Sequence, residues 1–474
     1  MAKDNAQDTR TALQTQLYYG FGAVAYGVKS NGFNYLLLFF YSQVMGLPPQ
    51  WVSFGIFIAL LVDAFSDPLV GYFSDNLRTR WGRRHPLMYI AGLPAAVAYY
   101  FLWAPPDLQP RELFIYFVSL AIIIRTLLTF YEIPSTSLVA EFTDDYDLRT
   151  RFMSFRFFFG WWGGLVMAVL VYLVFLPEAK GGLENADGWR SYGLAAAIVI
   201  CISVYVSAFG THRHIKHLRQ PPRRKKFGPA RVARELLETL SNRPFLFLFL
   251  AALFIAMATG VNTSLAIYFG RHFWELSAHQ IGILQLPYFL SAIAALIVAP
   301  IVSRWLGKKR AAILASALTL CLTPLPVILR LVDWFPANGT DSLYYTLMIF
   351  YTVDVTLLII SSILVAAMIA DVVEESELAT GRRSEGTFFA ASSFAQKAVN
   401  GLGVVVAGQI LAWSQFPTDA KPGDVSTEVL NDFALAYVPA LWLFYAIGIG
   451  LLCFYGITRE RHLDNLRELS ENGS

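Results

Sequence analysis

Apolar stretches long enough to cross a bilayer, about 20 residues each, recur along the whole chain between short polar connections. They fall approximately at 17–45, 51–74, 86–104, 112–139, 153–176 and 191–210. After a polar break they resume at 245–270, 279–302, 311–331, 342–371, 387–414 and 433–456. This pattern predicts about twelve transmembrane helices once tilt and interfacial ends are allowed for. The longest connection, THRHIKHLRQPPRRKKFGPARVARELLETLSNRP, divides them into two sets of six. The expected organisation is a six-helix half over 1–210, a basic linker over 211–243, and a second six-helix half with a short tail over 244–474. A Pro-Pro pair breaks structure early in the linker. Beyond it Val232, Leu236, Leu237 and Leu240 recur at helical spacing, which fits either a short amphipathic helix on the inner membrane surface or a solvated basic loop.

Composition turns the pattern into a class. The 474 residues are 56% hydrophobic and only 15% charged, against about 25% charged in soluble domains, and mean hydropathy is +0.49. The chain therefore reads as an all-α membrane protein. Its net charge of +3 says less than where the charges lie, and no nucleic-acid partner is expected. Lys and Arg collect in alternate connections: Arg78, Arg80, Arg83 and Arg84, then Arg149 and Arg151, the linker, Arg304, Lys308, Lys309 and Arg310, and Arg382 and Arg383. The positive-inside rule makes these cytoplasmic and places both termini inside, as an even number of helices also requires. The polar N-terminus MAKDNAQDTRTALQTQ lacks the features of a signal peptide, so the first apolar segment is expected to be retained. Cys201, Cys321 and Cys453 lie in apolar runs without CxxC spacing and read as small hydrophobes.

Two halves of six helices resemble the outline of the major facilitator fold, whose halves rock about a central site. The halves also echo each other, with GYFSDNLRTRWGRRHPLM after the second segment and PIVSRWLGKKRAAI after the eighth.

Against this apolar background a few charges stand out. In the second segment Asp63, Ser66 and Asp67 sit at i, i+3 and i+4, so their oxygens share one helix face, and Pro68 removes the donor for the Ala64 carbonyl. An ionisable side chain near the bilayer centre costs roughly 2.5 to 3.5 kcal/mol. Two carboxylates therefore imply a bound cation, sodium or a proton, or pairing with a neighbouring Lys or Arg. In the fourth segment Arg125, Thr129 and Glu132 form one stripe. Thr129 is placed to complete a cation shell, while Arg125 and Glu132 either bind substrate or neutralise each other. Arg156, one turn into the fifth segment, either forks hydrogen bonds to a substrate or snorkels to the inner surface; Trp161 and Trp162 beside it are weaker candidates. Lys397 lies about ten residues into the eleventh segment, too deep to snorkel, and is expected either to alternate with a cation over the acidic pair or to form a fixed ion pair. Lys29, Asn31 and Asn34 give the first segment a polar, pore-lining middle. Asp354, in the tenth, has no obvious partner in the sequence, and Asp371, Glu374, Glu375 and Glu377 fit a gate or a solvated edge.

DAFSDPLVG, NLRTRWGRRHP, EIPSTSLVAEFTDDYDLRTRFMSFR, NRPF and ADVVEESELATGRRSEGTFFA occur in order over most of the chain. Together they resemble the glycoside/pentoside/hexuronide:cation symporter family, whose best-known members are melibiose carriers. The resemblance implies a symporter driven by sodium, lithium or protons. Asp63, Ser66, Asp67 and Thr129 match that family's cation-holding positions. Glu132 and Arg156 match its sugar-contacting acid, commonly Asp there, and Arg, and Lys397 matches its eleventh-helix lysine. Two departures concern the sugar. The Lys-Asp pair of the family's first helix falls at Tyr26 and Gly27 here, and its fourth-helix Trp falls at Thr136. With the extra Lys29 and Arg125, these tilt the expectation toward an anionic ligand such as a hexuronide, with Tyr26, Lys29, Arg125, Glu132, Arg156 and Lys397 as the substrate-facing set. Lysophospholipid carriers resemble the same family, so a zwitterionic lipid is the alternative substrate.

The expected function is secondary symport by alternating access, by a functional monomer in a bacterial cytoplasmic membrane and without a resident cofactor. Catalysis is not expected. There is no HExxH and no GxSxG, and His85, His212, His214, His217, His272, His279 and His462 sit in loops or at helix ends. A non-transporting sensor on the same fold is the remaining alternative.

Overall fold

A computed structural model describes residues 13–142, 146–215, 243–380, 385–421 and 423–455; the side chains of 140, 146, 147, 150, 243, 244 and 369–398 lie outside that description. The expected amphipathic linker helix and the intramembrane side chain of Lys397 are therefore outside it too, as are the side chains of Asp371, Glu374, Glu375 and Glu377. The chain separates into two compact units, one of residues 1–226 with 277–282, the other of residues 227–276 with 283–474.

The first unit opens with a helical run that contains Ala23–Asn31 (α1) and passes through π-helical turns at Gly32–Leu36 and Phe40–Val44. It continues with Pro49–Asn76 (α2), His85–Trp103 (α3), Pro110–Phe142 (α4), Tyr146–Leu170 (α5) and Ala186–His212 (α6). The second unit holds Arg243–Tyr268 (α7), Pro287–Leu306 (α8), Lys308–Leu322 (α9), Asp341–Thr380 (α10), Glu385–Trp413 (α11) and Thr427–Cys453 (α12). Among the described residues, ten helices are long and apolar enough to cross a membrane. The other two expected segments fall short for local reasons. The first is divided by its π turns, and in α11 the described apolar stretch, Val399–Trp413, is short.

Within each unit the helices pair in the same order. In the first, α1 packs on α5 and α6, α2 on α4, and α3 on α4 and α6. In the second, α7 packs on α11 and α12, α8 on α10, and α9 on α10 and α12. The echo between the two inner loops thus accompanies a matching packing plan. π turns also follow α1 and α7, at Phe40–Val44 and Phe269–Phe273. Small residues make the close packing possible, as expected where lipid supplies no hydrophobic drive between helices. In the second unit Ala251, Ala295, Ala299, Ala311, Ala312 and Ala315 are buried at the centre of the core, while large apolar side chains such as Leu290, Leu296 and Trp305 point outward.

The crossing of α1 and α5 is the tightest approach bearing on the site. A Cβ added at Gly27 would collide with the Gly160 carbonyl oxygen and the Gly164 amide nitrogen. Backbone meets backbone there, so no larger side chain fits. Gly27→Leu is expected to lower stability by about 1–3 kcal/mol, the usual cost of overpacking, or to prevent assembly. A wild-type melting temperature for the detergent-purified variant would contradict this packing.

Candidate functional site

The polar centre of the first unit lies where α2 packs on α4. α2 carries Asp63 and Asp67 one turn apart, just before Pro68, which sits inside the helix. Asp63 is fully buried and Asp67 partly buried. Facing them, α4 presents Arg125 and Thr129, also one turn apart and both buried. Arg125 Nη2 donates to Asp63 Oδ2 at 2.7 Å. Thr129 Oγ1 lies 3.0 Å from Asp63 Oδ1 and 3.1 Å from Asp67 Oδ1, so a single hydroxyl bridges both carboxyl groups. The Arg125 guanidinium also sits 5.3 Å from the Phe33 ring centroid, a cation–π distance. Ser66 shares the face, but its hydroxyl donates to the Asp63 main-chain carbonyl at 3.1 Å.

A second polar group lies one turn further along α4. Glu132 Oε2 is 3.9 Å from Lys29 Nζ, an ion-pair separation too long for a direct hydrogen bond. Lys29 is buried, and its ammonium stands 4.8 Å from the ring centroid of Tyr26, which is 41% exposed. Arg156 is buried rather than snorkelled. It donates to Ser135 Oγ at 3.2 Å, lies 5.8 Å from the Tyr19 ring centroid, and is acted on electrostatically by Glu132.

These contacts revise the expected pairing on α4. Arg125 and Glu132 do not neutralise each other: Arg125 is seated on Asp63, and Glu132 faces Lys29. Positions seven apart on one helix lie nearly two turns apart, so each reaches a different neighbour. Arg125, counted among the substrate-facing residues, is here the partner of a carboxylate. The tight α1–α5 crossing also explains the absent first-helix acid, because the backbone contacts at Gly27 exclude any side chain.

A family profile described as MFS/sugar transport protein matches residues 18–459, nearly the whole chain. The chain belongs to the MFS/sugar transport protein family. Among this transporter's relatives, an uncharacterized symporter of Synechocystis sp. is 27% identical, with 96% of each chain covered. The isoprimeverose transporter of Lactiplantibacillus pentosus is 23% identical over 89% of this chain and 84% of its own. The crystal structure of a D-xylose-proton symporter shares the fold, with a TM-score of 0.64 at 15% identity, covering 94% of this chain and 97% of that one. The protein is thus an integral membrane secondary transporter of the major facilitator fold that moves a small molecule, and it is not an enzyme.

Two features of this transporter escaped the sequence reading. At the loop end of α2 and α4, Glu141 Oε1 accepts from Arg83 Nη2 at 2.6 Å and Arg84 Nε at 2.9 Å. Arg84 also reaches Asp75 at 2.6 Å and the Ser74 hydroxyl at 3.0 Å. The arginines were visible as topogenic charge; their acidic partners are identified only by the fold. In the second unit Asp354, which had no apparent partner, accepts a 2.6 Å hydrogen bond from the Thr323 hydroxyl and is buried.

The Asp63–Arg125 pair carries a quantitative expectation. Both side chains are buried, so removing either leaves an uncompensated charge, at a cost of about 3–5 kcal/mol. Asp63→Asn and Arg125→Gln should each lower the melting temperature sharply, and the double variant should recover much of the loss. Additive single effects in this double-mutant cycle would show that the two groups do not depend on each other.

Proposed function

We propose that this protein is a cation-coupled symporter for a glycoside, pentoside or hexuronide, working by alternating access. Asp63, Asp67 and Thr129 hold the coupling cation, and Lys29, Glu132 and Arg156, with Tyr26 at their edge, meet the substrate. The observation that carries this reading is the position of both groups on one helix. Thr129, which bridges the two carboxyl groups, and Glu132, which faces Lys29 and Arg156, are three residues apart on α4, a rise of about 4.5 Å. A change in what neutralises the carboxyl pair therefore acts on the helix that also carries the substrate-facing acid.

The substrate cluster suits a sugar. Glu132 accepts from ring hydroxyls, Arg156 donates a planar fork, and Tyr26 offers an exposed aromatic face. Among the described residues, Lys29 and Arg156 stand against Glu132, and this balance favours a uronate over a neutral glycoside. That preference rests on Lys29 and Arg156, since Arg125 is committed to Asp63. The naming of a relative for isoprimeverose supports the glycoside class. Lys397 enters on sequence grounds as the residue linking cation and substrate binding. The basic connections support a cytoplasmic location for both termini, in a bacterial inner membrane, with the monomer as the working unit.

The test is uptake into proteoliposomes under imposed sodium or proton gradients, with neutral glycosides, uronides and lysolipids as the panel. A sugar or uronide should accumulate under one gradient, and accumulation of lysolipids alone would overturn the substrate class. Asp67→Asn should reduce gradient-driven accumulation at least tenfold while leaving substrate exchange at equal concentrations measurable. Full concentrative uptake by this variant would show that the carboxyl group is structural. Lys397→Ala should weaken the dependence of substrate affinity on the cation, and an unchanged dependence would remove its coupling role.

A further inference from the structure

We infer that the groove between the start of the first helical run and the last turns of α6 binds one anionic phospholipid, with an acyl chain along the groove and the phosphate against Arg213. Its lining residues belong neither to the carboxyl pair nor to the proposed substrate cluster.

The groove has a volume of about 680 Å³. Tyr18 of the first run lines it together with Cys201, Ile202, Tyr205 and Phe209 of α6, and Arg213 stands where α6 ends. Packing fixes the aromatic walls. The Phe209 ring stacks on Tyr205 with centroids 5.7 Å apart and on Tyr89 at 5.2 Å, and the Tyr205 hydroxyl donates to the Tyr89 main-chain carbonyl at 3.1 Å. Tyr18 lies directly against Gly210, where a Cβ would collide with its ring. These contacts leave an apolar face turned outward: Phe209 is 64% exposed and Ile202 50%.

Two observations identify the occupant. α6 is long and apolar enough to span the membrane, so an outward apolar groove along it meets lipid rather than water. From Cys201 to Arg213 the helix rises about 18 Å, close to half of a hydrocarbon core about 30 Å thick, which is the reach of one acyl chain in one leaflet. The charge at the end of the groove selects the headgroup. Arg213 is always protonated, and it is positioned by hydrogen bonds from Nη2 to the Thr15 hydroxyl at 2.9 Å and from Nε to His214 Nε2 at 3.3 Å. Residues 211–226 contain seven Lys and Arg and no Asp or Glu, and a basic run of this kind beside a membrane helix attracts anionic headgroups. A guanidinium also matches the geometry of a phosphate. A zwitterionic lipid would bring a second cation to this already positive end, so the complementary occupant is an anionic lipid such as phosphatidylglycerol.

Native mass spectrometry of the full-length protein in detergent tests this, with titrations of phosphatidylglycerol, of phosphatidylcholine carrying the same acyl chains, and of glycerol 3-phosphate. One phosphatidylglycerol should be retained in preference to phosphatidylcholine, and equal retention of the two lipids would overturn the headgroup assignment. Glycerol 3-phosphate should not bind; binding as tight as that of the lipid would reduce the site to an anion site and reject the groove. Arg213→Gln should weaken phosphatidylglycerol binding about fivefold, the weight of one basic side chain near an anionic surface, while leaving phosphatidylcholine unchanged. Ile202→Trp fills the groove from an exposed position and should weaken both lipids. Phosphatidylglycerol binding that survives both substitutions but is lost when Arg223, Arg224, Lys225 and Lys226 are replaced by Gln would place the lipid on the linker and reject the groove. Melting temperatures measured alongside establish that each variant is folded. These readouts do not involve transport, so their outcome is separate from that of the symport reading.

Discussion

A carboxylate buried between membrane helices has to be neutralised, and the site in the first unit is organised around how Asp63 is neutralised. Asp63 is inaccessible, and its counter-ion is covalently part of the protein: Arg125, one helix away at 2.7 Å. Two unit charges about 4 Å apart attract by about 4 kcal/mol at an effective dielectric of 20. Taking both out of water costs several kcal/mol per ion, so the pair is better understood as fixing α2 against α4 than as a large net source of stability. With Asp63 held by Arg125, Asp67 joins the pair through the shared Thr129 hydroxyl. In the proposed symport this group of three residues is where the coupling cation exchanges.

The consequence passes along α4. This helix carries the guanidinium that holds Asp63, the hydroxyl that bridges the two acids and, one turn beyond, Glu132, which faces Lys29 and Arg156. In the proposed symport, cation and substrate groups thus share one rigid element, and differential binding to two states of such an element is what coupling requires. The α1–α5 crossing constrains the substrate side from another direction. Backbone contact at Gly27 holds the first helix close to the fifth, and the same helix brings Lys29 opposite Glu132 and over the Tyr26 ring.

Much of the fold was legible in the sequence because a bilayer imposes one length scale. The apolar segments, their division into two sets and the family resemblance follow from hydropathy, charge placement and local motifs. Asp63, Asp67 and Thr129 were also legible, since polar residues at helical spacing in apolar segments declare themselves. The pairing across helices was not. Arg125 and Glu132 form one stripe in sequence, and only the register of α4 against α1 and α2 sends one to Asp63 and the other to Lys29. The same limit hid Glu141 as the partner of Arg83 and Arg84, and Thr323 as the donor to Asp354. Gly27 read as a missing acid until the backbone of α5 was seen against it.

The central claim of the proposed symport is that one exchangeable positive charge, held among Asp63, Asp67 and Thr129, moves with each substrate molecule. Transport current and substrate flux measured together on the same proteoliposomes, with a neutral glycoside from the proposed class, test it most directly. The account predicts one inward positive charge per molecule transported, with the current abolished in Asp67→Asn while substrate exchange persists. A current unchanged in that variant, or accumulation with no net charge movement, would contradict it.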